Sequence, residues 1–137
     1  MKTFLIVKIG KYNCAFQMED IKAIVKNPLS DNEVHTDCFY QKVVMIQKDE
    51  WYVYNPAFIL GENSIGKAGI YTDLILINNE IRKHAYLVNE IVGIYNVPDE
   101  KIYEIPVLTR KKENNYLKGI IVMDHIFTYI LAAECME

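Results

Sequence analysis

The sequence predicts an all-β protein built as one or two small antiparallel barrels, and three observations carry that prediction. Between Leu74 and Pro106 short Ile-, Val-, Leu- and Tyr-rich runs alternate with turn residues, the pattern of a strand, a tight turn, a second strand, a short joint and a third strand. About ten such runs can be counted along the chain. No stretch sustains a long helix, and no repeat of solenoid length is present.

Taken in order, Phe4 to Ile9 is apolar apart from Lys8 and ends at Gly10-Lys11, a turn that returns the chain through Tyr12 to Phe16. Met18, Ile21 and Val25 fall at helical spacing behind Glu19 and Asp20, which predicts a short helix from about Met18. Pro28 disfavours helix before it, so Ile24 to Asn27 is read as extended. Pro28 to Phe39 is a polar loop. Gln41 to Gln47 is a strand, Lys48-Asp49-Glu50 a charged turn, and Trp51 to Asn55 the returning strand. Pro56 suits the first position of a short helix to Leu60, stopped by Gly61. Glu62 to Gly69 is a second loop. Leu74 to Ile77, Arg82 to Val88 and Ile91 to Val97 are strands, and Pro98 to Lys101 is a helical turn. Ile102 to Leu108 is extended around Pro106, and Arg110 to Asn115 is a charged loop. Tyr116 to Met123 and Ile126 to Leu131 pair across Asp124-His125, and Ala132 to Glu137 adds a short helical tail.

The 137 residues suit one domain, or two small barrels sharing an interface. A chain of this length buries roughly two thirds of its unfolded surface and needs no metal or disulfide to fold. A hydrophobic content of 51% excludes a disordered protein. The net charge of −3 gives no reason to approach DNA or an acidic membrane. Arginine occurs only at Arg82 and Arg110, which disfavours forked recognition of phosphate or guanine. Cys14, Cys38 and Cys135 make an odd set without paired spacing, as expected of a reducing compartment. No apolar run approaches the ~20 residues that span a bilayer. Met1-Lys2-Thr3 leads straight into a strand, so the expected location is cytoplasmic, without membrane insertion.

Candidate chemistry is thin. Gly61 to Ala68 falls one residue short of a phosphate-cradling loop, because Ala68 stands where a magnesium-holding hydroxyl is needed. His35, Asp37 and Cys38 lack the second spaced pair of a zinc site. Cys14 reads as a small buried hydrophobe. Ser30 and Ser64 are the only serines and neither sits in a nucleophile elbow. His84 lies in a strand, facing solvent or neighbours, with no base-orienting partner. Glu100, Glu104 and Glu113 interleave with Lys101, Arg110, Lys111, Lys112 and Lys118, so that region is a mixed-charge face. Trp51, Tyr52 and Tyr54 have no basic groove beside them with which to bind single strands.

The ordered set of segments resembles the CheW-like domain, the adaptor fold of bacterial chemotaxis. Phe4-Leu5-Ile6-Val7 with Gly10, then Tyr12 to Met18 and Ile21 to Val25, is similar to the family's opening. Trp51 to Asn55 leading to Leu60-Gly61, Ala85 to Ile91, Tyr116-Leu117-Lys118-Gly119-Ile120 and Phe127 to Leu131 match its later segments. The similarity runs from about Phe4 to Leu131 and makes residues 1–137 a single domain of two subdomains. It implies two five-stranded barrels packed side by side and a non-enzymatic adaptor that couples chemoreceptors to the CheA histidine kinase. It implies neither catalytic residues nor a cofactor. A groove between the barrels would take the helical hairpin tip of a receptor. The aligned residues are Ile21, Lys22, Ile24, Leu87, Val88, Asn89, Leu117 and Gly119. Barrel ends would meet the kinase's related domain, and self-association is open. Such recognition is helix-in-groove, with apolar residues supplying affinity and rim charges the register.

The chain departs from the family pattern at several positions. Val43 to Lys48 lacks the Arg-Gly that usually precedes the Trp51 strand. Asn89 and Asn55 stand where Asp is common, and Ala23 where Glu often sits. The alternative is therefore a divergent interaction module with a changed partner outside classical chemotaxis.

Overall fold

Each predicted hairpin forms, and the strands between them sort into two sheets. The computed structural model describes residues 1–60, 70–105 and 116–133. β1 (Lys2–Ile9) and β2 (Tyr12–Gln17) pair antiparallel about Gly10, whose φ of 61° places the turn in the left-handed region that glycine enters without steric cost. The helix expected from Met18 is only a 3-10 turn, Met18–Asp20, and the chain continues into β3 (Ile21–Lys26). A bulge between Ile21 and Ala23 explains the misleading spacing. It puts Ile21 and Val25 on opposite faces of a strand, where each packs on a different core.

β4 (Tyr40–Ile46) and β5 (Asp49–Tyr54) are joined by Gln47-Lys48, slightly earlier than the charged turn expected at Lys48 to Glu50. α1 (Pro56–Ile59) opens with Pro56 and is capped by Asn55, whose Oδ1 accepts from Ala57 N. β6 (Asp73–Ile77), β7 (His84–Val88) and β8 (Glu90–Val97) follow, then a 3-10 turn Asp99–Lys101 and β9 (Ile102–Glu104). β10 (Leu117–Met123) and β11 (Ile126–Leu131) close on Asp124-His125 as expected. The glycine-rich 61–69, the extension beyond Ile105, the charged loop at 110–115 and Cys135 in the tail lie outside the described residues.

The all-β class holds, but the two units are packed sheets instead of closed five-stranded barrels. One sheet has six strands in the order β8-β1-β2-β11-β10-β9 and the other five in the order β3-β6-β7-β5-β4. Among the described residues the outermost strands pair on one side only. β9 contributes just three residues, and a 3-10 turn instead of a hairpin connects it to β8, so nothing zips those two edges together.

Strand alternation builds three apolar layers. In the six-stranded sheet Phe4, Ile6, Ala15, Val97, Ile121 and Ile130 form one inner core. In the five-stranded sheet Trp51, Val53, Leu74, Leu76, Ala85 and Leu87 form another, closed by Leu29 and Tyr71. The opposite faces meet back to back through Leu5, Val7, Phe16, Ile75, Tyr86 and Val88. Phe16 and Tyr86 stack there with centroids 5.9 Å apart. β7 is buried along its whole length because it serves both its own sheet and this shared layer.

Candidate partner-binding site

The shared layer ends at β3 on one sheet and β8 on the other, both edge strands. Ile21 packs against it half-buried, and Ile24, paired with Ile75, stands on the same face with 38% of its surface exposed. On β8, Ile91, paired with Val7, packs against the same layer, while Ile94, paired with Leu5, is 60% exposed. Two edges thus carry four isoleucines on their core-side faces, graded from half-buried to open.

Only part of the set aligned by resemblance lies here. Ile21 and Ile24 do. Lys22 sits in the β3 bulge and swings away, its Nζ 5.6 Å from the centre of the Trp51 ring and so beside the inner core of the five-stranded sheet. Leu87 and Val88 have no exposed surface: Leu87 fills that inner core and Val88 the shared layer. Their side chains offer nothing for a partner to touch, because β7 is covered on both faces. Leu117 and Gly119 lie on β10, beyond β11 in the six-stranded sheet, and are not gathered with Ile21 and Ile24. Gly119 is buried, and a Cβ there would come 2.7 Å from the Tyr103 carbonyl oxygen, so its role is to admit β9.

Asn89 ties the sheets together. Its backbone N–H donates to the Lys8 carbonyl, its Oδ1 accepts from Gly10 N at 2.7 Å, and its Nδ2 donates to the Ile70 carbonyl. A carboxylate could not make the last of these bonds. Asn55 is likewise a buried structural amide, donating to Tyr71 Oη and to the His35 carbonyl while capping α1.

Sequence reasoning missed Ile91 and Ile94. Their spacing of three breaks strand alternation because the register shifts between Ile6 and Val7, opposite Gly93 and Ile91, leaving Val92 unpaired. A glycine inside a strand was the available signal for a bulge.

The remaining candidates have structural explanations. Burial pushes the Cys14 thiol up to about 12. Cys38 Sγ contacts the Tyr40 carbonyl, and burial, then neighbouring Asp37, raise its pKa. His84 faces neighbours: it lies edge-on to Tyr54 and Tyr86, with Nε2 3.3 Å from the Ala133 carbonyl, and burial lowers its pKa. No cluster of metal-binding side chains occurs among the described residues. Trp51 is buried while Tyr52, on the opposite face, is exposed, so the aromatic run forms no stacking platform. No helix among the described residues is long and apolar enough to cross a membrane.

This is a two-sheet, strand-dominated architecture with an apolar seam flanked by two edge strands. No protein-family model matches the sequence, and no curated protein does. Among solved structures, that of the scaffolding protein TtCheW from Thermoanaerobacter tengcongensis is similar, with a TM-score of 0.71 and 16% identity over 96% of this chain and 84% of that one. The chain has a CheW-like fold.

Proposed function

We propose that this protein is a non-catalytic signalling adaptor that docks an amphipathic helix along the seam between β3 and β8. The observation that carries the reading is the placement of Ile21, Ile24, Ile91 and Ile94 at the rim of the shared layer, with Ile24 and Ile94 open to solvent. A helix presenting apolar residues at i, i+3/i+4 and i+7 would extend that layer outward. The likeness to a scaffolding protein supports an adaptor over an enzyme. On this reading the helix belongs to the cytoplasmic tip of a chemoreceptor, and a CheA-type kinase is the second partner.

Titration of the full chain with a receptor cytoplasmic hairpin, followed by calorimetry, tests the proposal. Saturable binding that Ile24→Asp or Ile94→Asp abolishes supports it. Absence of binding by the folded wild-type protein refutes it.

A further inference from the structure

Among the described residues β3, β4, β8 and β9 border the two sheets, and a bordering strand presents a row of unmatched backbone N–H and C=O groups to any extended chain. Three of these edges carry the usual protection. β3 has Lys22 and Lys26, β8 begins with Glu90 and is broken by its bulge, and β9 is three residues long. β4 has none of these devices along Val43 to Ile46, a run without charge and without register shift. Its one charged residue, Lys42, precedes the run and is tied to Glu33 of its own chain at 2.7 Å.

The two-residue turn Gln47-Lys48 fixes which backbone groups face outward. In such a hairpin the flanking pair, Ile46 and Asp49, exchanges both backbone bonds, and so does the next pair but one, Val44 and Trp51. Val43 and Met45 therefore aim their N–H and C=O groups away from β5. Their side chains share a face with Tyr52, which is 46% exposed, and Met45 itself is 63% exposed. Val44 and Ile46 pack on the inner core from the other face.

We propose that β4 pairs antiparallel with β4 of a second copy about a two-fold axis at Val44, joining two five-stranded sheets into one. The unmatched groups select an extended strand, because a helix keeps its backbone bonds internal and cannot meet a row of them. Self-complementarity selects a second copy. On this axis Val43 of each copy meets Met45 of the other, and each such pair exchanges both backbone bonds. Val44 meets its own mate and Lys42 meets Ile46, so no like charges are opposed. Val43 and Met45 of both copies, flanked by Tyr52, then form one apolar patch. The seam proposed for the helix stays open, because β3 is the opposite edge of the sheet.

Sedimentation equilibrium of the full chain, over concentrations from about 1 µM to a few hundred µM, tests this on the scale of a weak interface. The expected result is a reversible dimer whose dissociation constant rises at least about tenfold in Met45→Pro and in Met45→Lys. Proline removes only an N–H that points away from β5, so the β4–β5 ladder survives it, and lysine restores the charge that other edges carry. Unfolding midpoints establish that each variant is folded, and the lysine variant decides if the proline one is not. Phe127→Asp, at a site 58% exposed on the other sheet, leaves the constant unchanged. Amide exchange at Val43 and Met45 slows as the protein is concentrated. A wild-type protein that stays monomeric overturns the proposal, even if β4 captures a strand from another protein. A dimer insensitive to the folded Met45 variants, or lost in Phe127→Asp, overturns it equally.

Discussion

Gly119 and His84 show how far single side chains are fixed by packing. The Tyr103 carbonyl leaves no space for a methyl group at Gly119, and the obstacle is backbone, which cannot rotate away. Gly119→Ala should therefore destabilise the protein by roughly 1–3 kcal/mol, the range for overpacking a closed site, seen as a lower urea midpoint. His84 predicts a pH dependence. Burial holds its folded pKa below the ordinary value of 6.5, so the unfolded chain binds the proton more readily. Stability from this group is complete above the unfolded pKa and is lost as pH falls from there through the folded value. Wild-type protein should lose stability as pH falls below the ordinary histidine value of 6.5, and His84→Gln should flatten that slope. An equal slope in both proteins would assign the acid sensitivity elsewhere.

At the scale of elements, the two hairpins β4–β5 and β10–β11 turn on non-glycine residues that all have positive φ: Gln47 and Lys48 at 50° and 73°, Asp124 and His125 at 51° and 65°. Two-residue turns of this hand match strand twist, yet a side chain there costs on the order of 1 kcal/mol relative to glycine. Lys48→Gly should accordingly raise the thermal midpoint without altering the sheet, since Lys48 lies outside both flanking strands; an unchanged or lower midpoint would show that the side chain compensates. These hairpins were readable in the sequence because each sets an apolar run against polar turn residues over a short span. Facing was not. Register shifts at Ile21/Ala23, Tyr40/Lys42, Leu117/Gly119 and Ile6/Val7 each change the side on which the following residues fall. That is why Lys22 turns toward Trp51 and why Ile94 reaches the seam unforeseen. β7 was opaque for another reason: a strand buried on both faces has no alternation to read, so Leu87 and Val88 could not be distinguished from groove residues.

For the molecule as a whole, the division of labour between layers decides which changes touch recognition and which touch folding. Ile24 lies on an edge strand with over a third of its surface open, whereas Val88 and Leu87 have none. An aspartate at Ile24 can point its carboxylate into water and keep the β3–β6 pairing, because the backbone bonds do not depend on the side chain. Its effect should fall on partner affinity, with a loss of at least about tenfold for a central apolar anchor. The same carboxylate at Val88 would enter the shared layer among Leu5, Val7, Ile75 and Tyr86, with no hydration and no cation. Burying an unpaired charge there costs several kcal/mol, comparable with the ~5–15 kcal/mol total stability of a domain. Val88→Asp should therefore leave little folded protein, and Leu87→Asp likewise through the inner core of the other face. Parallel measurement of urea midpoints and helix-binding affinity separates the outcomes. Ile24→Asp with a near-native midpoint and abolished binding fits a seam that recognises a partner. Should Ile24→Asp bind normally, the seam would be only the margin of a core, and recognition would have to lie on another surface.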